Sequence, residues 1–274
     1  MFKIIIMALL IFIGMVGYDN ITDKAQPTTP VQQEQQKVSK HEKSAAMALF
    51  TSLLPPKEEW PSPVHKFYLA FNMDEVIDPI RQNPNWTSLD AMSRDIPQAL
   101  IAIEDHAFYN HGAIAVEGIL RAALANINAG EVVQGGSTLT QQFVKNVFLS
   151  HEQSMERKIE EAVLSLMLED NYSKDEILGL YLNTTYFGAG STGIRQASKT
   201  YFGKAPSALT LAEAAVIASL PYAPTSLNPL ENPEGCKKRQ LLVLAAMHKY
   251  GMINQGQLAE AKAEKIRLTN GTFM

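Results

Sequence analysis

The chain has 274 residues, of which 46% are hydrophobic, enough for one sizeable globular domain with its own core. Its formal net charge of −4 at pH 7 gives no overall attraction for nucleic acid, so no nucleic-acid partner is expected. The single cysteine, Cys236, excludes an intrachain disulfide and a cysteine metal cluster.

Residues 1–18 predict a membrane anchor. Lys3 is followed by an uncharged, almost wholly apolar run that ends at Tyr18, and such a run after one positive flank is typical of a secretory signal or a signal-anchor. The run is shorter than the ~20 residues that span a bilayer comfortably, but no Ala-x-Ala cleavage site follows it. We favour a retained single-pass anchor with the domain outside the membrane, and a cleaved signal is the alternative.

Residues 19–75 predict a juxtamembrane spacer. Its first part, 19–45, is rich in Gln, Thr, Pro and Lys and would bury too little apolar area to offset its ordering entropy. Near its end, Phe67, Leu69 and Phe71 alternate with other residues, which favours a short strand.

From about residue 88 onward, the apolar residues recur at helical spacing, which predicts a mainly α domain. Ser173 with Glu176, and Thr210 with Glu213, are capping-box patterns that each predict a helix start. The other predicted helices cover 96–108, 116–129, a segment capped by Ser137 or Thr138, 152–170 and 234–250. In helix 152–170 we expect Met155, Ile159, Val163 and Leu166 to face inward.

Acids, amides and cations interrupt this apolar pattern between residues 104 and 183. Glu104 and Asp105 end an apolar helix, where partial desolvation suits general acid or base catalysis, although an ordinary helix-end acid fits equally well. The turn Gly135-Gly136-Ser137-Thr138 precedes a helix whose free N–H groups could hold an anion. Further along, Arg157 and Glu161 are helical neighbours that could also be a solvated ion pair. Taken singly, each motif leaves its structural alternative open.

Together these segments resemble the glycosyltransferase family 51 domain, the transglycosylase module of class A penicillin-binding proteins and of monofunctional transglycosylases. The matching motifs occur in order: Glu-Asp-x-x-Phe-x-x-His at 104–111, Gly-Gly-Ser-Thr-x-Thr-Gln-Gln-x-x-Lys-Asn at 135–146, Arg-Lys-x-x-Glu at 157–161, Lys-x-x-Ile-Leu-x-x-Tyr-Leu-Asn at 174–183, and Arg-x-x-x-Val-Leu at 239–244. The resemblance implies a lysozyme-like bilobal helical domain over 76–250. Residues 251–274 resemble the connector to a further domain in bifunctional relatives.

The family resemblance implies a peptidoglycan glycosyltransferase that polymerises lipid II with inversion and releases undecaprenyl pyrophosphate. It implies Glu104 as the general base and Glu161 as the second essential acid. Residues expected to bind the substrate or its pyrophosphate are Asp105, Phe108, Ser137, Thr138, Gln141, Gln142, Lys145, Asn146, Arg157 and Lys158. A divalent cation, Mg²⁺ or Mn²⁺, is a candidate cofactor near Glu161 by way of the pyrophosphate, and no organic cofactor is implied.

The same resemblance implies an extracytoplasmic domain at the bacterial cell membrane, with lipid II, the growing glycan strand and cell-wall synthesis proteins as partners and a part in cell-wall biogenesis and cell shape. Two alternatives stay open: a lysozyme-like muramidase and a non-catalytic lipid II or cell-wall binding protein. Two departures from the family pattern motivate the latter. Ala113 occupies a position that is usually Gly, which could strain the backbone if φ is positive there, and Gln153 occupies a position that is often Arg.

Overall fold

The fold of the described residues is mainly helical, as the sequence predicts. The computed structural model describes residues 68–70, 72–120, 127, 135–149 and 154–274. The helices are α1 Asp74–Arg81, α2 Asp95–Glu104, α3 Leu139–Phe148, α4 Met155–Asn171, α5 Lys174–Thr184, α6 Ile194–Phe202, α7 Leu211–Ser219, α8 Pro233–Lys249 and α9 Gln255–Ala263. Short 3₁₀ turns lie at Leu89–Ala91 and Pro206–Ala208. The described ranges hold no β-strand, only the isolated bridges Tyr186–Thr192 and Arg267–Phe273.

Helix α7 lies at the centre of the core, where it packs against α2 and α8. Every residue from Ala212 to Ser219 is buried, as expected for a helix whose residues, apart from Glu213 and Ser219, are apolar. Four of these residues are alanines, which allow neighbouring helices to approach closely. A second group forms where α3 packs between α4 and α5. Helix α2 thus joins the core to the segment that begins at Glu104.

Capping boxes fix the starts of several helices. The side chains of Ser173 and Glu176 cap α5 reciprocally, and Thr210 and Glu213 do the same for α7, which confirms both predicted helix starts. Of the two candidates for the cap of α3, the structure selects Thr138, whose hydroxyl accepts from the backbone N–H of Gln141 at 3.1 Å. Because these caps are local, they position each helix independently of its packing.

The predicted inward face of α4 is contradicted at one of its four positions. Val163 and Leu166 are half-buried, and the side chain of Met155 is not among those that the structure describes. Ile159, expected inside, is 58% exposed, whereas Leu164, Met167 and Leu168 are buried. The true inner face also contains Glu161, at 1% exposure. The buried stripe therefore includes a carboxylate, which a search for apolar periodicity alone does not count.

Three other predictions differ from the structure. Residues 68–70 are helical rather than extended. Helix α2 ends at Glu104, not at Phe108. The helix predicted for 234–250 is confirmed, but another one, α9, follows and packs against α8. The helix predicted for 116–129 is described only at 116–120 and 127, where it is helical.

Asn72–Met274 forms one compact unit. The predicted anchor, the spacer up to residue 67 and Gln153 lie outside the described residues. In the part of the chain that is described, none of the helices combines the length and apolarity needed to cross a membrane.

Candidate functional site

A cleft of about 400 Å³ opens beside the end of α2. Its walls come from the segments that carry the first two motifs, 102–118 and 135–138, together with Tyr250. The glycine turn approaches residues 116–120 closely, because a Cβ on Gly136 would lie 3.0 Å from Ile119 Cα. A side chain at residue 136 would therefore require the backbone at Ile119 to shift.

Glu104 is half-buried at the edge of the cleft, and a chain of hydrogen bonds holds its carboxylate. Gln142 on α3 donates from Nε2 to Glu104 Oε2 at 3.0 Å. The hydroxyl of Tyr181 on α5 donates to Gln142 Oε1 at 3.0 Å. Burial, and next the nearby charge of Glu104, raise the pKa of Tyr181 above its usual value, so its hydroxyl stays a donor at neutral pH. These two hydrogen bonds orient one oxygen of Glu104, and the carboxylate remains beside the cleft.

The side chain of Asp105 takes no part in the hydrogen bonds of Glu104, Gln142 and Tyr181 and instead joins two segments. Its Oδ1 accepts from His111 and its Oδ2 accepts from the backbone N–H of Leu139. Its side chain is only 8% exposed. The hydrogen bond to Asp105 raises the pKa of His111, although burial opposes the shift.

Glu161 is the centre of a second charged cluster. Arg157 Nη1 lies 3.3 Å from Glu161 Oε2, and Lys158 pairs with Oε1. Lys158 also donates to Ser137 Oγ at 3.0 Å, which links the cluster to a residue of the cleft wall. Two cations around one carboxylate leave one net positive charge. The structure thus brings Ser137, Arg157, Lys158 and Glu161 together.

The other predicted substrate contacts are placed differently. Thr138 and Gln141 use their polar side-chain atoms in the cap of α3, and Thr138 Oγ1 also donates to the carbonyl of Ala113 at 2.8 Å. Phe108 is fully buried, with Lys174 Nζ 4.4 Å from its ring centroid. Lys145 and Asn146 are exposed on α3. The roles of these residues toward a substrate stay predictions.

The condition under which Ala113 would strain the backbone, a positive φ, is not met. Among the non-glycine residues that the structure describes, Ala189 has a positive φ and Ala113 does not. The side chain of Ala113 is buried, at 2% exposure. An alanine is therefore accommodated there without strain.

A sequence profile of the family described as Transglycosylase matches residues 73–248, about two thirds of the chain. This chain belongs to the transglycosylase family. The matched range contains Glu104 and the two residues that hold it, Gln142 and Tyr181, whereas Tyr250 of the cleft wall lies just beyond it.

Relatives of this transglycosylase domain are found in several bacteria. A protein of Cupriavidus necator, whose name assigns it provisionally to the transglycosylases, is 40% identical over 71% of this chain and 84% of its own length. Penicillin-binding protein 1A of Neisseria flavescens is 44% identical over 68% of this chain. Penicillin-binding protein 1F of Bacillus subtilis is 39% identical over 72% of it. The matches span 23% and 28% of these two longer proteins.

A crystal structure of penicillin-binding protein 1A from Haemophilus influenzae matches 48% of this chain and 16% of its own at 32% identity. The TM-score is 0.34, too low to compare the two folds. The lysozyme-like bilobal arrangement therefore stays a prediction for this transglycosylase domain, whereas its mainly helical character is confirmed.

Sequence reasoning gave no role to two residues of the site. Tyr181 lies in a quoted motif, but only the fold brings its hydroxyl to Gln142. His111 ends the first motif, and the fold pairs it with Asp105. Residues six apart are not neighbours on the surface of a helix, so helical periodicity in the sequence does not indicate this pair.

The residues of the site do not form a metal site by themselves. Both oxygens of Glu161 are already paired with cations, and the described residues contain no cluster of three or more carboxylate, imidazole or thiol groups suited to a metal ion. A carboxylate neutralised in this way is a poor ligand for Mg²⁺ or Mn²⁺.

Proposed function

We propose that this chain is a peptidoglycan glycosyltransferase that polymerises lipid II and releases undecaprenyl pyrophosphate. The observation that supports it most is that one cleft has both a carboxylate oriented by a hydrogen bond and a positively charged cluster linked to its wall. Glu104 is oriented by Gln142, and Ser137 in the cleft wall bonds to Lys158. A transfer from a pyrophosphate donor to a hydroxyl acceptor needs both.

In the proposed reaction, Glu104 takes the proton from the 4-hydroxyl of the acceptor sugar. That oxygen attacks C1 of the reducing-end sugar of the growing strand from the face opposite the leaving group. The C1–O bond to the pyrophosphate breaks, the configuration at C1 inverts, and undecaprenyl pyrophosphate leaves with the bonding electron pair. The hydrogen bond from Gln142 holds one oxygen of the carboxylate in place and leaves the other oxygen to accept the proton.

The positive cluster would stabilise the pyrophosphate. Arg157 and Lys158 carry one more charge than Glu161 neutralises, and the exposed Lys145 has no ion-pair partner among the residues described. Charge-assisted hydrogen bonds of this kind contribute about 1.5–3 kcal/mol each. Since Glu161 is held by two cations, we assign it the role of fixing Arg157 and Lys158, and no step in this scheme uses a metal.

Apolar side chains beside the cleft support an envelope location. Val116, Ile119 and Leu120 are 63%, 44% and 60% exposed, and Val116 also lines the cleft. We infer that this surface faces the membrane that holds the lipid-linked substrates, which agrees with a single-pass anchor.

The test is to incubate the purified full chain with labelled lipid II, with and without Mg²⁺ or Mn²⁺. We expect long glycan chains, and expect Glu104→Gln to abolish them, because an amide cannot accept the proton. Glu260→Gln, an exposed acid on α9, is the matched control and should polymerise normally. Normal polymerisation by Glu104→Gln would refute the assigned base.

The same assay separates the two alternatives. Cleavage of preformed peptidoglycan without polymerisation would identify a muramidase, and lipid II binding without turnover would identify a binding protein. The cluster around Glu161 favours the transferase, because cutting a glycan requires no pyrophosphate site. The unstrained Ala113 removes one of the two reasons for a non-catalytic protein.

A further inference from the structure

A second pocket of about 230 Å³ lies between the end of α5, the start of α6 and the loop around Trp86. It has no lining residue in common with the reaction cleft. Asn183, which lines it, is two residues beyond Tyr181, and two residues correspond to a rotation of about 200° around a helix. The pocket therefore lies on the face of α5 opposite the one that supports Glu104.

Hydrogen-bonding groups of this pocket are free. The side-chain amide of Asn85, Nε2 of Gln196 and the hydroxyl of Thr192 have no hydrogen-bond partner among the described residues. The side-chain NH₂ of Asn83 likewise has no hydrogen-bond partner among the described residues, although Asn83 Oδ1 accepts from the backbone N–H of Asn85. Amides and hydroxyls offer donors and acceptors together. None of the described side chains that line the pocket is charged.

Trp86 adds a partly exposed aromatic wall. The edge of its six-membered ring lies against α5 at Gly179, where an added Cβ would be 3.8 Å from Trp86 Cη2. Hydrogen bonds hold the backbone of the loop around it: Arg195 Nη2 donates to the carbonyl of Trp86 at 3.2 Å, and Asn183 exchanges two hydrogen bonds with the backbone of Thr87. The backbone that carries the indole is therefore held before any ligand arrives, which lowers the entropic cost of binding.

We propose that this pocket binds a neutral, N-acetylated sugar ring of a glycan strand outside the reaction cleft. The apolar face of a pyranose complements an indole ring, and its hydroxyl and acetamido groups complement free amides. A neutral lining disfavours phosphate and charged peptide. The volume is below the roughly 300–1,000 Å³ of pockets for drug-sized ligands, which suits one ring with the rest of the strand in solvent. This proposal rests on the proposed function only in that polymerisation would supply the glycan strand.

The chain contains two tryptophans, Trp60 and Trp86. In the variant Trp60→Phe, the tryptophan fluorescence therefore comes from Trp86 alone. We expect a tetramer of N-acetylglucosamine to cause a saturable change in its fluorescence and a matching heat in calorimetry. Asn85→Ala in that background should weaken binding up to about tenfold, the effect of losing one hydrogen bond. The side chain of Asn85 is exposed, so thermal unfolding should be unchanged. Gln255→Ala, an exposed amide on α9, is the matched control and should bind normally.

Binding should persist in Glu104→Gln, whether or not the chain polymerises lipid II, so that a failure of the proposed function does not affect this test. Three results would overturn the site. The first is no fluorescence change together with no heat, and the second is an affinity in both Asn85→Ala and Gln196→Ala equal to that of the parent protein. The third is loss of binding in Glu104→Gln, which would place the sugar in the reaction cleft.

Discussion

Asp105 Oδ1 lies 2.6 Å from His111 Nε2, and the two residues form an ion pair across one loop. The other ring nitrogen of His111 lies 2.6 Å from the carbonyl oxygen of Gly112. Both nitrogens thus face acceptors, which the doubly protonated imidazolium satisfies. Because Asp105 also accepts from Leu139 N at 3.1 Å, the pair ties the segment after Glu104 to the first turn of α3.

The ion pair predicts a pH-dependent stability. The hydrogen bond from Asp105 raises the pKa of His111 above its ordinary value of 6.5. The stabilisation is therefore complete below about pH 6.5 and lost as pH rises through the folded-state pKa. We expect the free energy of unfolding to fall in this range, and expect His111→Ala to lack that fall while being less stable by about 3 kcal/mol at low pH, because Asp105 loses its partner. Urea unfolding over a pH series measures both effects.

His248 is exposed on α8, so His248→Ala is the matched control for this prediction. It should keep the wild-type pH dependence. The same slope in His111→Ala and in the wild type would assign the pH dependence to another group.

Tyr181→Phe should lower kcat between about twofold and tenfold and leave KM nearly unchanged. The substitution removes the donor to Gln142 Oε1, and a lost hydrogen bond of this kind costs about 0.5–1.5 kcal/mol. Tyr201→Phe is the control, since Tyr201 is equally buried and donates to the carbonyl of Phe187 at 2.7 Å, outside the lining of the cleft. A similar kcat loss in both variants would mean that general loosening, not the positioning of Glu104, causes it.

Lys158→Met should destabilise the fold by about 1.5–3 kcal/mol, because the buried Glu161 loses one charge-assisted hydrogen bond and keeps Arg157 as its remaining partner. Denaturant unfolding measures the loss. In the double variant Lys158→Met/Glu161→Gln we expect part of that stability to return. Lys238→Met, at an exposed position on α8, should have little effect. Equal stabilities for the two methionine variants would show that the pair contributes nothing.

Ala113→Gly, which restores the residue usual in the family, should not stabilise this chain. The backbone at Ala113 does not need a positive φ, and a glycine adds unfolded-state entropy of about 0.5–1 kcal/mol. We therefore expect a lower melting temperature by calorimetry. A higher melting temperature would mean that the alanine is strained after all.

Local signals in the sequence predicted much of this structure. The capping boxes at Ser173 and Thr210 need only residues three apart, and both are confirmed. The placement of Glu104 at the end of α2 follows from the apolar run before it.

Contacts between distant segments could not be predicted in this way. The chain from Tyr181 through Gln142 to Glu104 joins residues 39 and 38 positions apart, and no periodicity reports such pairs. The burial of Glu161 was not predicted, because the low hydropathy of a glutamate indicates exposure. Its burial is possible because neighbouring cations compensate its charge. The helix α9 was missed because its buried residues, Leu258 and Ala261, make only a short apolar stripe.

The cap of α3 has a consequence for insertions and deletions. Thr138 fixes where the helix begins, and Gln142 follows it by four residues. One residue added or removed between them would turn every later side chain by about 100° around the helix axis. Gln142 would then point away from Glu104 while the helix itself still formed. The segment between this helix cap and Gln142, the partner of the proposed base, is thus expected to tolerate substitution far better than any change in length.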